Sequence, residues 1–545
     1  MDNKLKRKRI IILLIAFGLL LLFFSTYYYI NETKDIDTVM SHVTHNEPII
    51  FSNESGFYNN ELNLKLSLDV AFPGSSKIYY TLDGNDPDST SFEYTRPIKL
   101  SSDEEKPVVY PVKAVVLYNG MYSDIYERDY VIGKDVFHEF DTVVASLTVD
   151  GKNLYDEEIG IMVEKNLLNR DDEFYKKSKI TIFNTSGKPI VEQNVKIGIM
   201  GTNSATQDIK SFKIKVDKEY NEDIKFVFNE TDSRLALVDE YKSLKLRSGS
   251  QDRTKGNIRE SVFSQICYQS NFDGYAKGER CVLFLNGQFY GIFDIEQNYS
   301  KSFLGDRYGI EDNDNIVKIE ESDIDILKQT DVFQYFTADL NDVENRKQLE
   351  SHVDIDNYIT YFAIQLLSNN VDWPKRNIAA WYYSGNDVND NKYTDGKLRY
   401  LLYDMDFSLY TPVTWEAYGF EDWDVELVNR LQDLLNTDCS LKYILQSKYY
   451  RDKFIVCILD LLNTSFSDKN LISVIDNEFS KISSANEKFL SKEACESSAQ
   501  TVYYMKRGTF EIKENVINSI ESEYGLKEKY DFEIACSSRR ISYVE

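Results

Sequence analysis

From Ile10 to Ile30 the chain reads IIILLIAFGLLLLFFSTYYYI, a run without a single charge. At about 1.5 Å of rise per residue, a helix of this length crosses a hydrocarbon core of about 30 Å. The KLKRKR segment just before it holds that end in the cytoplasm by the positive-inside rule, and Tyr27, Tyr28 and Tyr29 fall where an interfacial aromatic belt is expected. The expected layout is a cytoplasmic basic tail (1–9), a transmembrane helix (10–30), a polar linker (31–46) and an extracytoplasmic remainder. A cleaved secretory signal is the competing reading. Its apolar core would be shorter and a small-residue cleavage site would follow, where bulky tyrosines stand instead. Both readings export the bulk of the chain.

With 545 residues, more than one core is expected. The 39 Tyr and 31 Phe suit β-rich layers with large, half-buried side chains. A net charge of −26, with no dense Lys/Arg run beyond the N-terminal tail, argues against nucleic-acid binding. The acidity serves solubility, and on a functional reading it attracts basic partners. Cys267, Cys281, Cys439, Cys457, Cys495 and Cys536 lack CxxC spacing, which excludes a zinc ribbon and a disulfide-dense scaffold. One or two long-range bridges stay open for an exported domain. His42, His45, His138 and His352 are too dispersed for a histidine metal site, and no GxSxG-type elbow offers an activated nucleophile. Chemistry in this chain must therefore run mostly on carboxylates, Lys/Arg and Asn.

Residues 47–133 carry alternating runs (LNLKLSLDV, KIYYTLDG, PVKAVVLYNG, DIYERDYVI) broken by turn residues, the pattern of a small antiparallel β-sandwich. Within it, Tyr80 to Pro87 (YTLDGNDP) and Thr95-Arg96-Pro97-Ile98 resemble the chitobiase C-terminal-like module, which implies a spacer or accessory role. Asp83-Gly84 supplies the positive-φ position of a tight turn. Carbohydrate binding is a minor alternative, because none of Trp373, Trp381, Trp415 and Trp423 lies in this module.

Residues 140–540 read as a second, two-lobed domain. TVVASLTVD, KSKITIFN, QNVKIGIMG, KSFKIKVD and IKFVFN are strand-like, NIRESVFSQICYQS has helical spacing, and CVLFLNG and FYGIFDIEQ are strands again. VDIDNYITYFAIQLLSNN, VELVNRLQDLLN and DKFIVCILDLLN then read as helices. Ligands tend to bind between such lobes.

After the first of these helices comes SNNVDWPKRN, which holds D-x-x-x-x-N from Asp372 to Asn377. A predicted hairpin then leads to LLYDMDF, with Asp404 and Asp406 at a strand end. Phosphoryl transfer needs one Asp to accept or orient a hydroxyl proton, and an Asn and a further Asp to hold Mg²⁺ on the nucleotide phosphates. Asp372, Asn377 and Asp404 fill those roles in that order, with Asp406 as the second carboxylate of the pair. D-x-x-x-x-N alone also describes an Asx-rich turn after a helix. The order of strands, helix, D-x-x-x-x-N and strand-borne Asp pair is what strengthens the reading.

Five ordered segments resemble the CotH (spore-coat protein H) family of atypical protein kinases. They are Gly201-Thr202-Asn203-Ser204 with Lys210-Ser211-Phe212; Leu246 to Asp252; Leu285 to Gly291 running into Glu296; Asn370 to Pro374; and Tyr403 to Asp406. The resemblance implies an α+β fold: a two-lobed atypical protein-kinase-like domain, preceded here by the β-sandwich and the single transmembrane helix. It also implies ATP with Mg²⁺ (or Mn²⁺) as cofactors and serines of basic, Ser-rich exported proteins as substrates. Gly201, Asn203 and Ser204 would form a phosphate-covering turn and Lys210 would contact the phosphates, with Lys213 and Lys215 competing for that role. Glu260 pairs with that lysine, as in other kinases, or lies on a solvated helix face. Glu296 ends a strand of the inter-lobe hinge, where a structural role is equally open. Met200 replaces the family's usual Arg or His, and Pro374 stands where many protein kinases place Lys, leaving Lys375 or Arg376 to supply that charge. The rival functions are a kinase-like scaffold acting as a surface binding protein or adhesin, and another ATP-dependent transferase. A kinase outside the cytoplasm also needs an enclosed space that contains ATP.

Overall fold

The period-two runs of the sequence become strands, and the chain divides into two compact units between Lys134 and Asp135. The computed structural model describes residues 48–543, apart from 70–74, 103–105, 218, 220–221, 229–231, 322–326, 329, 375, 387–389, 411–429, 438, 526–529 and 533–540. The expected tail, transmembrane helix and linker (1–46) therefore lie outside the described residues, as do Lys375, Trp415, Trp423 and Cys536. Among the described residues no helix is long and apolar enough to cross a membrane.

The first unit is β-rich. Its largest sheet runs in the order Gly56–Asn59, Tyr126–Gly133, Val108–Tyr118, Lys77–Thr81, Phe92–Glu93, with two shorter antiparallel pairs beside it. Alternate residues such as Leu62 and Leu64, or Val112, Ala114 and Val116, face one shared core. The Asp83-Gly84 turn is held by its own hydrogen bonds, Asn85 N to Asp83 Oδ1 (3.1 Å) and Thr81 Oγ1 to the Asn85 carbonyl (2.6 Å), with Gly84 at φ 81°. This local explanation accounts for the motif.

The second unit is built on a closed barrel of seven strands: β1 (Val143–Thr148), β2 (Lys176–Phe183), β3 (Pro189–Ile199), β4 (Phe212–Val216), β5 (Ser243–Arg247), β6 (Gly278–Leu285) and β7 (Gln288–Gln297). They close in the order β1-β2-β3-β4-β5-β7-β6, with β6 returning parallel to β1. The alternation expected from the sequence decides the two faces. Ile197, Phe212, Ile214, Leu244, Leu246, Phe293 and Ile295 fill the interior, so their neighbours Lys213, Lys245, Arg247, Asp294 and Glu296 point outward. The register sets Lys245 opposite Glu296 and Arg247 opposite Asp294.

Between β5 and β6 lies helix α1 (Arg259–Gln269), and after β7 come α2 (Lys301–Tyr308) and α3 (Ile355–Ser368). Asp354 caps α3 by accepting from Asn357 N (3.1 Å), and α3 ends where Asn369 turns left-handed at φ 46°. Almost every residue of α3 is buried, because it packs against α4 (Lys448–Asn463) and α6 (Lys492–Tyr524) as well as the short sheet β8 (Ile316–Glu321), β9 (Ile378–Tyr383), β10 (Arg399–Leu401). Helix α5 (Asp468–Phe489) lies on α1 and on the outer face of β6 and β7, where Phe489 stacks on Phe289 with ring centroids 4.5 Å apart. A β-rich part thus precedes a helical part, as the sequence predicts. All five described cysteines are free thiols.

Candidate functional site

The site grows from the outer face of β5. A strand that buries Leu244 and Leu246 inward presents Lys245 and Arg247 outward. Arg247 donates through Nη1 to Asp406 Oδ1 (2.7 Å) and through Nη2 to Asp404 Oδ1 (2.6 Å). Glu260 Oε2 lies 3.7 Å from Nη1 and Glu296 Oε2 lies 3.8 Å from Nε. Lys245 Nζ donates to Glu296 Oε1 at 2.7 Å. Four carboxylates therefore converge on two cations. Burial acts to lower the Arg247 pKa, but Asp406, Glu260, Asp404 and Glu296 together hold it well above its usual value. Burial outweighs Arg247 at Glu260 and, with the Glu296 and Asp404 charges, pushes that carboxyl up to about 7.

Two loops are held against this face. Asp252 accepts from the amides of Ile258 and Arg259 (both 2.8 Å), capping the start of α1, and it pairs with the fully buried Arg259 guanidinium. Arg259 Nε in turn donates to the Ser408 carbonyl (2.6 Å) and its guanidinium lies over the Tyr410 ring. The first turn of α1 carries Glu260, which accepts from the Met405 amide at 2.7 Å, between the two aspartates. From the other side, the chain after α3 runs along the same loop: Val371 N to the Phe407 carbonyl (3.0 Å), Leu409 N to that of Ser368 (2.7 Å), Asn369 Nδ2 to that of Tyr410 (2.6 Å) and Asn370 Nδ2 to that of Asp404 (3.3 Å). These bonds bring Asp372 beside Asp404. Burial, then the Asp404 charge, raise the Asp372 pKa, while Arg376 and Arg430 oppose them.

Asp404 has φ 59°, a left-handed conformation uncommon outside glycine and asparagine. Asp404 and Asp406 both pair with Arg247, but the Asp404 side chain is 40% exposed and that of Asp406 is 2% exposed, so Asp404 is the one open to a ligand and Asp406 the one enclosed. Asp406 Oδ2 and Glu296 Oε2 are buried acceptors with no hydrogen-bond partner among the described residues. Asn377, at φ 63° just before β9, is half-buried. No group of three or more His, Cys, Asp or Glu among the described residues is arranged to hold a metal ion.

The structure thus gathers Asp404, Asp406, Glu260 and Glu296, with Asp372 alongside. The glycine loop and its lysine are placed differently. Gly201 is in the left-handed region (φ 82°), its carbonyl accepting from Arg170 Nη2, and a side chain there would run into Ser204. Asn203 is exposed and Ser204 half-buried. Lys210 is buried, and its ammonium donates to the carbonyls of Ala205 (3.1 Å) and Gln207 (2.7 Å), bracing the loop from within. The expected Lys210–Glu260 pair is therefore not formed: Glu260 faces Arg247 instead, because Arg247 on β5 faces α1. Among the competing lysines, Lys215 pairs with Asp172 (2.7 Å). Lys213 has no ion pair among the described residues. Burial, then Lys215, Lys318 and Lys245, depress its pKa. The sequence reading gave no role to Arg247, Lys245, Asp252 or Arg259. Its available signal was the alternation itself, since K-L-R on one strand and D-I-E on its partner place matching charges on one face.

The model of the CotH kinase protein family matches residues 197–506, more than half of the chain, and these bounds contain Arg247, the four carboxyl groups around it and Asp372. The chain belongs to the CotH kinase protein family. A second family model, described as Fn3 associated, matches residues 66–130 in the β-rich first unit. No curated protein matches the chain. Within this CotH-family chain the matched region begins in β3 and ends in α6, so it takes in both the barrel face that carries Arg247 and the helical part that supplies Asp372.

Proposed function

We propose that this chain is an ATP- and Mg²⁺-dependent protein kinase, with an atypical kinase-like fold, that phosphorylates Ser or Thr of exported, basic proteins. The observation that carries the reading is the set of four carboxyl groups gathered on Arg247 and Lys245, with two buried acceptor oxygens that have no hydrogen-bond partner among the described residues. Burial holds the Asp406 and Glu260 carboxyls above the usual carboxylate range, and a cation bound beside them would favour their charged forms. A magnesium ion held by one or two carboxylates and by substrate phosphates needs no three-ligand protein cage. Asp404 and Asn377, with Asp406 behind them, are the residues that would hold it, and when bound it offsets charge on the nucleotide phosphates. Lys213, without an ion-pair partner among the described residues, and Lys245 are the cations suited to those phosphates, with the Gly201 to Ser204 turn as a cover.

In the transfer, Asp372 orients the substrate hydroxyl and takes its proton. A carboxyl whose pKa is raised by burial is a better base than an exposed one. The hydroxyl oxygen forms a bond to the γ-phosphorus as the bond to the β-phosphate oxygen breaks, and ADP leaves with that electron pair. The net charge of −26 favours basic substrates, and the uncharged run at 10–30 supports export with membrane attachment, which protease protection of intact cells would test.

The test is transfer of label from γ-labelled ATP to a Ser/Arg/Lys-rich peptide. Asp372→Ala and Asp404→Ala should each lower the rate about 10²–10⁴-fold with circular dichroism unchanged. Full activity in both variants would sink the proposal. Transfer of label from α-labelled ATP and none from γ-labelled ATP would replace it with nucleotidyl transfer.

A further inference from the structure

A second group of buried charge lies away from the Arg247 cluster, where α2 meets the loop between the short strands Ile224–Lys225 and Glu240–Tyr241. Arg307 of α2 is 3% exposed, yet it has no carboxylate within ion-pair distance among the described residues. Its Nη1 donates to Gln297 Oε1 (3.1 Å) and its Nη2 to the Asp273 carbonyl (3.2 Å), and the guanidinium lies over the rings of Tyr275 (4.9 Å) and Phe303 (5.6 Å). Among the described residues Nε has no hydrogen-bond partner. The nearby acidic groups are engaged elsewhere: Asp232 with Arg234 and the Tyr275 hydroxyl, and Asp273 with the Tyr393 hydroxyl.

A guanidinium carries five donors and keeps its charge, so burying one against neutral acceptors and aromatic rings is costly unless an anion completes it. Arg307, Lys277 and Gln297 line a cavity of about 200 Å³, with Asp232, paired to Arg234, also on its wall, and it opens under the exposed loop residues Ser233, Ala236 and Leu237. The volume suits a small anion with accompanying water and is too small for a nucleotide. We propose that this cavity binds a small oxyanion or carboxylate, such as phosphate, through the Arg307 guanidinium. The site is separate from the proposed nucleotide site and does not depend on that reading. Two segments join it to that site: β7, where Gln297 follows Glu296 and accepts from the Lys277 amide (3.0 Å), and the Asp273 to Tyr275 segment, whose Gly274 carbonyl accepts from the Leu402 amide (2.6 Å).

The test is thermal unfolding of the full chain against inorganic phosphate, sulfate and acetate, at ionic strength held constant with chloride. A bound anion raises the midpoint saturably, because it binds only the folded state. At least one of the three anions should do so. Arg307→Lys, which keeps the charge but loses the fork, should weaken the apparent affinity at least tenfold. Should that variant fail to fold, Ala236→Trp on the exposed loop fills the cavity and should abolish the shift. Lys213→Ala should leave it intact. No saturable shift with any of the three anions would overturn the proposal. So would a shift that survives Ala236→Trp, or one that Lys213→Ala removes.

Discussion

The two faces of β5 and β7 are buried to nearly the same depth and are completed in different ways. Inward, Leu244, Leu246, Phe293 and Ile295 meet other apolar side chains, and that face is finished by folding alone. Outward, Arg247, Asp294 and Glu296 are almost as inaccessible and Lys245 is half-buried, yet Asp294 Oδ1, Glu296 Oε2 and Asp406 Oδ2 are left without hydrogen-bond partners among the described residues. An apolar face can be satisfied by shape, whereas a charged face must be satisfied atom by atom. The difference teaches where chemistry belongs in this molecule: on the face whose electrostatics folding leaves incomplete.

Breaking the charged face should have the larger effect. Arg247→Met leaves Asp404, Asp406, Glu260 and Glu296 around no guanidinium and should cost about 3–5 kcal/mol in urea unfolding. A variant as stable as the wild type would mean that the four carboxylates are not charged together. Leu246→Ala, on the opposite face of the same strand, should cost about 2–5 kcal/mol through its cavity. Unlike Arg247→Met, it should leave the transfer rate per folded molecule unchanged. A rate that falls with stability would show that the two faces are not separable.

Asp294 sharpens the comparison through pH. Burial, with Glu296, pushes its carboxyl up to about 6 against Arg280 and Arg247. Its folded pKa lies above its unfolded one, so its favourable contribution is complete below about pH 4 and is lost as pH rises through about 6. The stability of the wild type relative to Asp294→Asn should therefore fall by on the order of 3 kcal/mol between pH 4 and 7, measured by urea unfolding at each pH. A flat difference would show that Asp294 stays ionised throughout. The smallest effect separates two lysines. Lys213→Ala should raise the KM for ATP about tenfold, as expected for a lost charge on phosphate. Lys210→Ala, which removes only hydrogen bonds to loop carbonyls, should lower stability by about 1 kcal/mol with little change in KM. The reverse outcome would return the phosphate contact to Lys210.

Much of the fold was legible because it rests on local periodicity. Six of the seven barrel strands, α1 and α3 follow from alternation and helical spacing, whereas β5 is not among the strands read from the sequence and IKFVFN, which is, supplies only Ile224–Lys225 outside the barrel. Asp372, Asp404 and Asp406 were legible as a motif, since their spacing fits phosphoryl transfer wherever the chain places it. Glu260 and Glu296 were both singled out in the sequence, Glu260 with Lys210 as its expected partner and Glu296 at the end of a hinge strand, and both stand beside Arg247 instead. Which cation meets them depends on strand register: Lys245 faces Glu296 only because β5 pairs with β7, across more than forty intervening residues. Barrel closure by β6 on β1, the clamp of Arg259 on the Ser408 carbonyl and the enclosure of Arg307 are likewise contacts between distant segments. The sequence by itself determined which faces would be apolar, which residue types could do chemistry and the family to which they belong. Only the tertiary structure decided which charges face one another and which stay unbalanced, because electrostatic partnership falls off over a few ångströms and sequence spacing does not record distance in space.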